Sequence, residues 1–319
     1  MSVEYTFYLE GQLITSGRAF VRNIARKTAS FVTILRRSIL NIQWYPGHMT
    51  KAFRMMEESA KLVDVVLYLL DARIPVACMN EAYKKIILNK TIIYILNKSD
   101  LADEKKTNLW LQNFSRQNDI AIALDASKSF SAKPLLKLLE RVEKPKADKF
   151  QAKGAIIPTR VMVLGIPNSG KSTLINTLCG KKQATTGNKP GVTRGKQWVR
   201  LSNNIELLDT PGTLYPNFED QIKAMKLAFV GSINDDILDL IELGTELLME
   251  IKKQYPKNLY EKYGITEDQS INEMIEQICK KRGFLLKQGE LDSERALKAV
   301  IDDFRKGRLG RISLESPNE

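Results

Sequence analysis

Residues 165–172 read GIPNSGKS and combine residue types that bind phosphate and a divalent cation. Glycines at the spacing GxxxxG let backbone N–H groups turn inward around a phosphate, and the lysine and hydroxyl that follow supply a positive charge and a Mg²⁺ ligand. A strand-like run, TRVMVLG, precedes this loop and a helical pattern follows it, which is the context that the motif requires. We therefore expect Lys171 to contact the β- and γ-phosphates and to act in catalysis. The residues predicted to contact the nucleotide here are Asn168, Ser169, Gly170, Lys171, Ser172 and Thr173.

A second phosphate-side motif, DTPG at residues 209–212, closes the apolar run NIELL. Asp209 supplies a carboxylate near the metal ion, and the backbone N–H of Gly212 is suited to contact the γ-phosphate. Between the two motifs, PGVT contains Thr193, which resembles the threonine that closes on Mg²⁺ in the triphosphate state of phosphate-loop proteins. The alternative is a plain turn residue after Pro190 and Gly191. The predicted metal ligands are Ser172, Thr193 and Asp209, and Thr193 and Gly212 join Lys171 as predicted catalytic groups.

Asn97, Lys98 and Asp100 belong to the motif NKSD, which follows the strand-like run TIIYIL. A carboxylate at this point accepts hydrogen bonds from both the N1–H and the exocyclic amine of guanine, whereas adenine offers no such pair of donors. A helix N-cap formed by Ser99 or Asp100 is the structural alternative. We expect GTP and GDP as the cofactors, with Asn97, Lys98 and Asp100 around the base.

The next strand-like run, IAIAL, leads into Asp125, Ala126 and Ser127, which we predict to form a second base-contacting loop. The text at residues 131–133, SAK, is closer to the usual form of this motif. It falls beyond the end of the strand, so the earlier segment is preferred.

Alternating strand and helix patterns from residue 63 to 209 position these motifs. Such alternation predicts a parallel sheet, whose ligands bind at the carboxyl ends of the strands. A charged linker is expected over residues 143–153, and from about residue 220 the apolar spacing is helical. The predicted organisation is a basic N-terminal extension (1–40), an α/β P-loop domain (41–218) and an all-helical C-terminal domain (219–319).

The composition favours a polyanionic partner, because the formal net charge is +12 and the pI is about 9.4, although basic surfaces also serve solubility alone. Three isolated cysteines without a CxxC pair indicate a reducing compartment. The longest apolar run, residues 63–70, is too short to cross a bilayer. The basic segment of residues 1–40 has three possible origins. It is an RNA-contacting arm, or a stretch translated from an upstream start codon, or an organellar targeting peptide, which we rank lowest.

The motifs stand in an unusual order, with the base motifs before the phosphate loop, PGVT and DTPG. This order resembles that of circularly permuted GTPases. Within that class, the texts WYPGHM, DARIP, NKSD, GIPNSGKST, PGVTRGKQW and DTPG, with KKRGFLLKQGELD and FRKGRLGRISLE near the C-terminus, resemble the ribosome biogenesis GTPase A family over residues 42–315. The resemblance implies a GTPase that assists late assembly of the large ribosomal subunit and binds its rRNA, in the cytoplasm or, for a targeted protein, in mitochondria. We expect a monomer in solution.

The residue that follows DTPG is Thr213, where many GTPases carry a water-orienting glutamine and the resembled family carries an apolar residue. The attacking water must therefore be positioned by another group. Asn168 resembles the asparagine that binds K⁺ in potassium-activated GTPases, and the family carries a histidine that matches His48. His48 is a predicted catalytic residue, with capping or packing at a helix start as the alternative.

Two other functions compete with a subunit-coupled GTPase. One is a nucleotide-gated RNA-binding module with little turnover of its own, and the other is a GTPase that acts on another RNA such as tRNA. Measuring the rate of GTP hydrolysis with and without ribosomal subunits distinguishes a subunit-coupled GTPase from a nucleotide-gated RNA-binding module. The permuted order and isolated cysteines disfavour the last alternative.

Overall fold

The computed structural model describes residues 5–9, 12–16, 42, 47–151, 157–180, 197–202, 204–214, 218, 220–287 and 289–317. The chain divides into two compact units, Met1–Asn41 and Ile42–Glu319. In the N-terminal unit, strands β1 (Tyr5–Leu9) and β2 (Gln12–Ser16) form an antiparallel pair. The composition of this extension did not lead us to predict these strands, although apolar and aromatic residues on both sides of a glycine are typical of a hairpin.

A six-stranded sheet is the centre of the second unit. Its strands are β3 (Val65–Asp71), β4 (Thr91–Asn97), β5 (Ile120–Leu124), β6 (Thr159–Gly165), β7 (Gln197–Arg200) and β8 (Ile205–Asp209). Their order across the sheet is β5-β4-β3-β6-β8-β7, and only β7 runs antiparallel to its neighbour. Strand β3 is buried along its whole length, which explains its continuous apolar sequence.

The strand order reflects the permuted motif order. Strand β6, which leads into the phosphate loop, pairs with β3 in the middle of the sheet. The base motifs therefore lie on the β4–β5 side of this junction and the phosphate motifs on the β6–β8 side. The predicted α/β class and the helical C-terminal region are confirmed.

Helices pack around this sheet and continue the chain after it. Those of the sheet region are α1 (Gly47–Ala60), α2 (Pro75–Cys78), α3 (Lys84–Ile87), α4 (Glu104–Arg116), α5 (Ser129–Gln151) and α6 (Lys171–Cys179), with a short 3-10 helix at Glu81–Tyr83. The predicted linker at residues 143–153 is wrong, because α5 continues to Gln151. Lysine and glutamate have high helix propensity, so a helix can extend beyond its buried stripe.

The C-terminal region consists of α7 (Gln221–Phe229), α8 (Leu240–Gln254), α9 (Pro256–Tyr263), α10 (Ile271–Arg282) and α11 (Ser293–Arg305), with a 3-10 helix at Asp235–Ile237. Helices α8 and α11 approach closely at Gly244, where an added Cβ would lie 2.8 Å from the Leu297 Cβ. Both regions belong to one compact unit, and the domain limit at residue 218 stays a prediction. Within the described part of the chain, every helix is too short or too polar to cross a membrane.

Candidate nucleotide site

The carboxyl ends of the parallel strands bring the predicted motifs to one edge of the sheet. Asp71 at the end of β3 is level with Asn97 at the end of β4, and Leu69 is level with Gly165. On the other side of β6, Asp209 ends β8 and is level with Val163. This edge is where open α/β sheets bind their ligands.

Lys171 is buried at the N-terminus of α6. Its Nζ donates to the carbonyl oxygens of Gly165 (3.1 Å) and Ile166 (2.8 Å), so the loop curls around its ammonium group. Burial lowers the pKa of Lys171 to about 8, against the raising effect of nearby Asp209. Since an anion restores the charged form of a buried lysine, this position is suited to a phosphate.

Asp209 and Ser172 fit a divalent cation. The Ser172 hydroxyl donates to Asp209 Oδ2 at 3.1 Å. The other oxygen, Oδ1, is buried and has no hydrogen-bond partner among the described residues. Burial raises the pKa of Asp209, although Lys171 and the Ser172 hydroxyl oppose the shift. A buried, incompletely partnered carboxylate beside a hydroxyl is a donor set that Mg²⁺ accepts.

Gly212 lies directly against the phosphate loop. An added Cβ there would lie 2.6 Å from the Pro167 nitrogen and 2.8 Å from Lys171 Nζ. Only a residue without a side chain allows this approach, and it brings the DTPG segment beside Lys171, the predicted phosphate contact. Ser169 and Thr173, two other predicted contacts, lie in the loop and in the first turn of α6.

Asn97 connects the two sides of the site. Its buried amide donates to the Ser169 carbonyl oxygen at 2.6 Å, and its oxygen accepts from the Ala126 N–H at 2.9 Å. Both ends of the side chain are therefore engaged by loops. Asn97 therefore positions the phosphate loop and the loop at residues 125–127 relative to each other.

The other residues predicted to contact the base lie in two adjacent turns. Asp100 is exposed, and the backbone of Lys98 has a φ of 57°, in the left-handed region. In the second loop, Asp125 accepts from the Ser127 N–H (2.9 Å) and hydroxyl (2.6 Å). The alternative SAK text, residues 131–133, lies within α5.

Sequence reasoning missed a closed ion cluster beside the base turn. The guanidinium of Arg73 binds both oxygens of Asp71 at 2.8 Å, and Lys98 Nζ lies 3.1 Å from Asp71 Oδ2. Although burial alone would raise it, these cations hold the pKa of Asp71 well below its usual range. Arg73 also stacks 5.0 Å above the ring of Phe304 in α11. In the sequence, this cluster is marked by nothing except the motif DARIP at residues 71–75.

Thr213 occupies the usual glutamine position but is fully buried. Its hydroxyl is 2.7 Å from the hydroxyl of Tyr83, which is itself 3.3 Å from the Gly165 carbonyl oxygen. Thr213 thus joins the DTPG segment to the start of the phosphate loop. Tyr83 was not predicted, since nothing near it in the sequence marks a site.

The C-terminal region also contacts the phosphate loop. Asn168, whose φ is 59°, donates from its side chain to the Gly231 carbonyl oxygen at 2.6 Å, and the Ser232 hydroxyl donates to the Pro167 carbonyl oxygen at 2.9 Å. Arg305 supports this loop by donating to the Phe229 carbonyl oxygen at 3.0 Å.

Two predicted residues fall outside these observations. Thr193 lies outside the described residues. His48 belongs to the first turn of α1, but its side chain is outside the described part of the structure. Their roles stay predictions.

Known proteins with sequences similar to this chain are GTPases. A family model described as "50S ribosome-binding GTPase" matches residues 160–286. Ribosome biogenesis GTPase A of Bacillus cereus is 41% identical over 281 residues, which cover 87% of this chain and 95% of the relative. The Thermotoga maritima protein of that name is 36% identical at the same coverage of both chains. The crystal structure of GNP-bound YlqF from T. maritima matches with a TM-score of 0.58 and 32% identity, covering 84% of this chain and 99% of that one.

The parallel sheet, the phosphate loop and the early base motif define a P-loop GTPase with circularly permuted motif order. At this identity and coverage, the chain belongs to the ribosome biogenesis GTPase A family. It is a GTP hydrolase that binds guanine nucleotides.

Proposed function

We propose that this GTPase hydrolyses GTP while bound to a precursor of the large ribosomal subunit, and that its nucleotide state is coupled to rRNA binding by the C-terminal helices. The observation that carries the proposal is the direct contact of Asn168 and Pro167 in the phosphate loop with Gly231 and Ser232. Loss of the γ-phosphate changes the surroundings of this loop, and contacts that join it to the helical region can transmit the change.

In the proposed reaction, Lys171 neutralises charge on the β- and γ-phosphates, and the Gly212 N–H contacts the γ-phosphate. Ser172, Asp209 and Thr193 would hold Mg²⁺, which supplies positive charge to the same phosphate oxygens when bound. The exposed carboxylate of Asp100 recognises guanine, with Lys98 and residues 125–127 around the base.

The attacking water needs an orienting group other than Thr213, whose hydroxyl is engaged by Tyr83. We assign this role to His48, supported by K⁺ held near Asn168. An imidazole accepts a proton near neutral pH, and a fixed cation offsets charge that develops on the phosphates. His48→Ala is expected to retain GTP affinity and lose most subunit-stimulated hydrolysis.

Exposed lysines of α10 are the proposed rRNA contacts. Lys280 pairs only at the surface, with Glu276 of its own helix, and Lys281 is exposed. Arg282 is less suited, because it pairs with the buried Asp303. We further propose a monomer that acts in the cytoplasm, with mitochondria as the alternative if residues 1–40 are a targeting segment.

The test compares GTP hydrolysis with and without purified large subunits, in K⁺ and in Na⁺, for the wild type, His48→Ala and the pair Lys280→Glu with Lys281→Glu. We expect strong stimulation of the wild type only, and a smaller salt dependence of subunit binding for the lysine pair. Subunit binding that depends on the nucleotide without any stimulation of hydrolysis would favour the nucleotide-gated RNA-binding module instead.

A further inference from the structure

The end of the chain lies across the turn that carries Asp100, more than 200 residues earlier in the sequence. The Ser99 carbonyl oxygen, just before Asp100, accepts from Arg311 Nη2 at 3.0 Å. The Ala102 carbonyl oxygen, two residues after Asp100, accepts from Arg311 Nε at 2.7 Å. One guanidinium group therefore joins both sides of the turn.

Neighbouring residues of the C-terminal segment, residues 311–315, extend this contact. The Ile312 N–H donates to the Leu101 carbonyl oxygen at 3.0 Å. The Asp103 N–H donates to the Ser313 hydroxyl at 3.0 Å. Residues 99 and 101–103 of the turn thus each hydrogen-bond the C-terminal segment, and Asp100 lies between them.

The turn depends on outside contacts to hold its shape. Lys98 has a backbone in the left-handed region, which is uncommon for a residue with a long side chain and persists only where surroundings impose it. The Asp100 side chain is exposed, so the backbone on either side sets its direction. A carboxylate that accepts two hydrogen bonds from one base must be held within a fraction of an ångström of the position that suits both bonds.

We propose that Arg311 is a positioning residue for guanine selectivity, because it holds the turn in the geometry that lets Asp100 accept both base donors. The proposal rests on the proposed recognition of guanine by Asp100. Arginine suits the role since its planar fork reaches two carbonyl oxygens, whereas the ammonium group of lysine acts as a single point. Arg311 also pairs with Glu104 at 3.0 Å and its side chain is 46% exposed, so its replacement leaves the core intact.

The test measures the dissociation constants of GDP and of inosine diphosphate, which lacks the exocyclic amine of guanine. Wild type, Arg311→Met and Arg311→Lys are compared, with Arg295→Met as the control. Arg295 is an exposed arginine of α11 that stacks 4.5 Å from the ring of Phe284. A second variant, Ser313→Ala, removes the hydroxyl that accepts from the Asp103 N–H at 3.0 Å and donates to the Ala72 carbonyl oxygen at 3.4 Å.

We expect Arg311→Met to weaken GDP binding about tenfold and inosine diphosphate binding much less, so the preference for GDP shrinks. Arg311→Lys should be intermediate, Ser313→Ala should shift the preference the same way, and Arg295→Met should behave as wild type. Equal weakening of both nucleotides, or an unchanged preference, would overturn the role of Arg311. A wild type that binds both nucleotides equally would overturn the Asp100 assignment itself.

Discussion

Asp71 and Asp209 are buried carboxylates at the ends of strands on either side of β6, yet their surroundings differ. Both oxygens of Asp71 are bound by Arg73, and Lys98 adds a second cation. Asp209 contacts the Ser172 hydroxyl, while its second oxygen has no partner among the described residues. Accordingly, the pKa of Asp71 is lowered against its burial, whereas burial raises the pKa of Asp209.

The difference separates a structural cluster from a binding site. Paired buried charges stabilise a particular packing, here that of Arg73 against Phe304 of α11, and cost stability when one member is removed. Buried charges with incomplete partners, such as Lys171 and Asp209, carry a desolvation cost that a ligand relieves. Four changes test this contrast.

Lys171→Ala should have the largest effect. Loss of the buried ammonium group should weaken GDP binding by about a thousandfold, ~4 kcal/mol, because the phosphates lose their countercharge. The free protein should unfold at no lower urea concentration than the wild type, since burial disfavours the charged ammonium group when no phosphate is bound. Titration with a fluorescent GDP analogue measures the affinity. The control is Lys90→Ala, whose ammonium contacts the Val63 carbonyl oxygen at the opposite end of the sheet; retained affinity in Lys171→Ala would contradict the assignment.

Asp71→Asn should mainly reduce stability. The substitution leaves the buried Arg73 guanidinium without its full countercharge, and we expect the free energy of unfolding to fall by about 3 kcal/mol. Urea denaturation of the nucleotide-free protein measures it. GDP affinity should change far less than in Lys171→Ala. An unchanged free energy of unfolding would contradict the conclusion that the cluster of Asp71, Arg73 and Lys98 stabilises the fold.

Asp209→Asn, in contrast to Asp71→Asn, should reduce hydrolysis and leave stability intact. Because burial disfavours the charged carboxylate, the neutral amide should leave the free energy of unfolding unchanged or raise it. Hydrolysis should fall by about a hundredfold, since a proposed Mg²⁺ ligand is lost. The same urea series and a phosphate-release assay measure both quantities. A loss of stability equal to that of Asp71→Asn would remove the distinction between the two carboxylates.

The pH dependence of GDP binding should show the smallest effect. The pKa of Lys171 in the free protein is about 8, and bound phosphates raise it by favouring the charged form. Affinity should therefore be constant well below pH 8 and fall above it, by up to about tenfold per pH unit. Calorimetry measures the affinity for GDP from about pH 6.5 to about pH 9, a range that extends to both sides of the pKa of Lys171. Lys171→Arg, which stays charged, is the control and should flatten the profile; a flat profile in the wild type would contradict the shifted pKa.

Several features of the fold and site were predictable because their determinants are local. The phosphate loop, NKSD and DTPG each combine a strand and a turn within a few residues, and parallel strands necessarily bring their carboxyl ends to one edge. The motif order alone established the permutation. Local pattern misjudged the end of α5, because charged residues are compatible with both a linker and an exposed helix.

Only the tertiary structure decided which residues support those motifs. The contacts of Tyr83 with Thr213, Arg73 with Phe304 and Arg311 with the Asp100 turn join residues 130, 231 and more than 200 positions apart. Such pairs leave no local period or spacing in a sequence, since each residue is ordinary among its neighbours. Their meaning arises from burial, because a hydroxyl or guanidinium group removed from water must find a partner, and packing determines which one lies within reach.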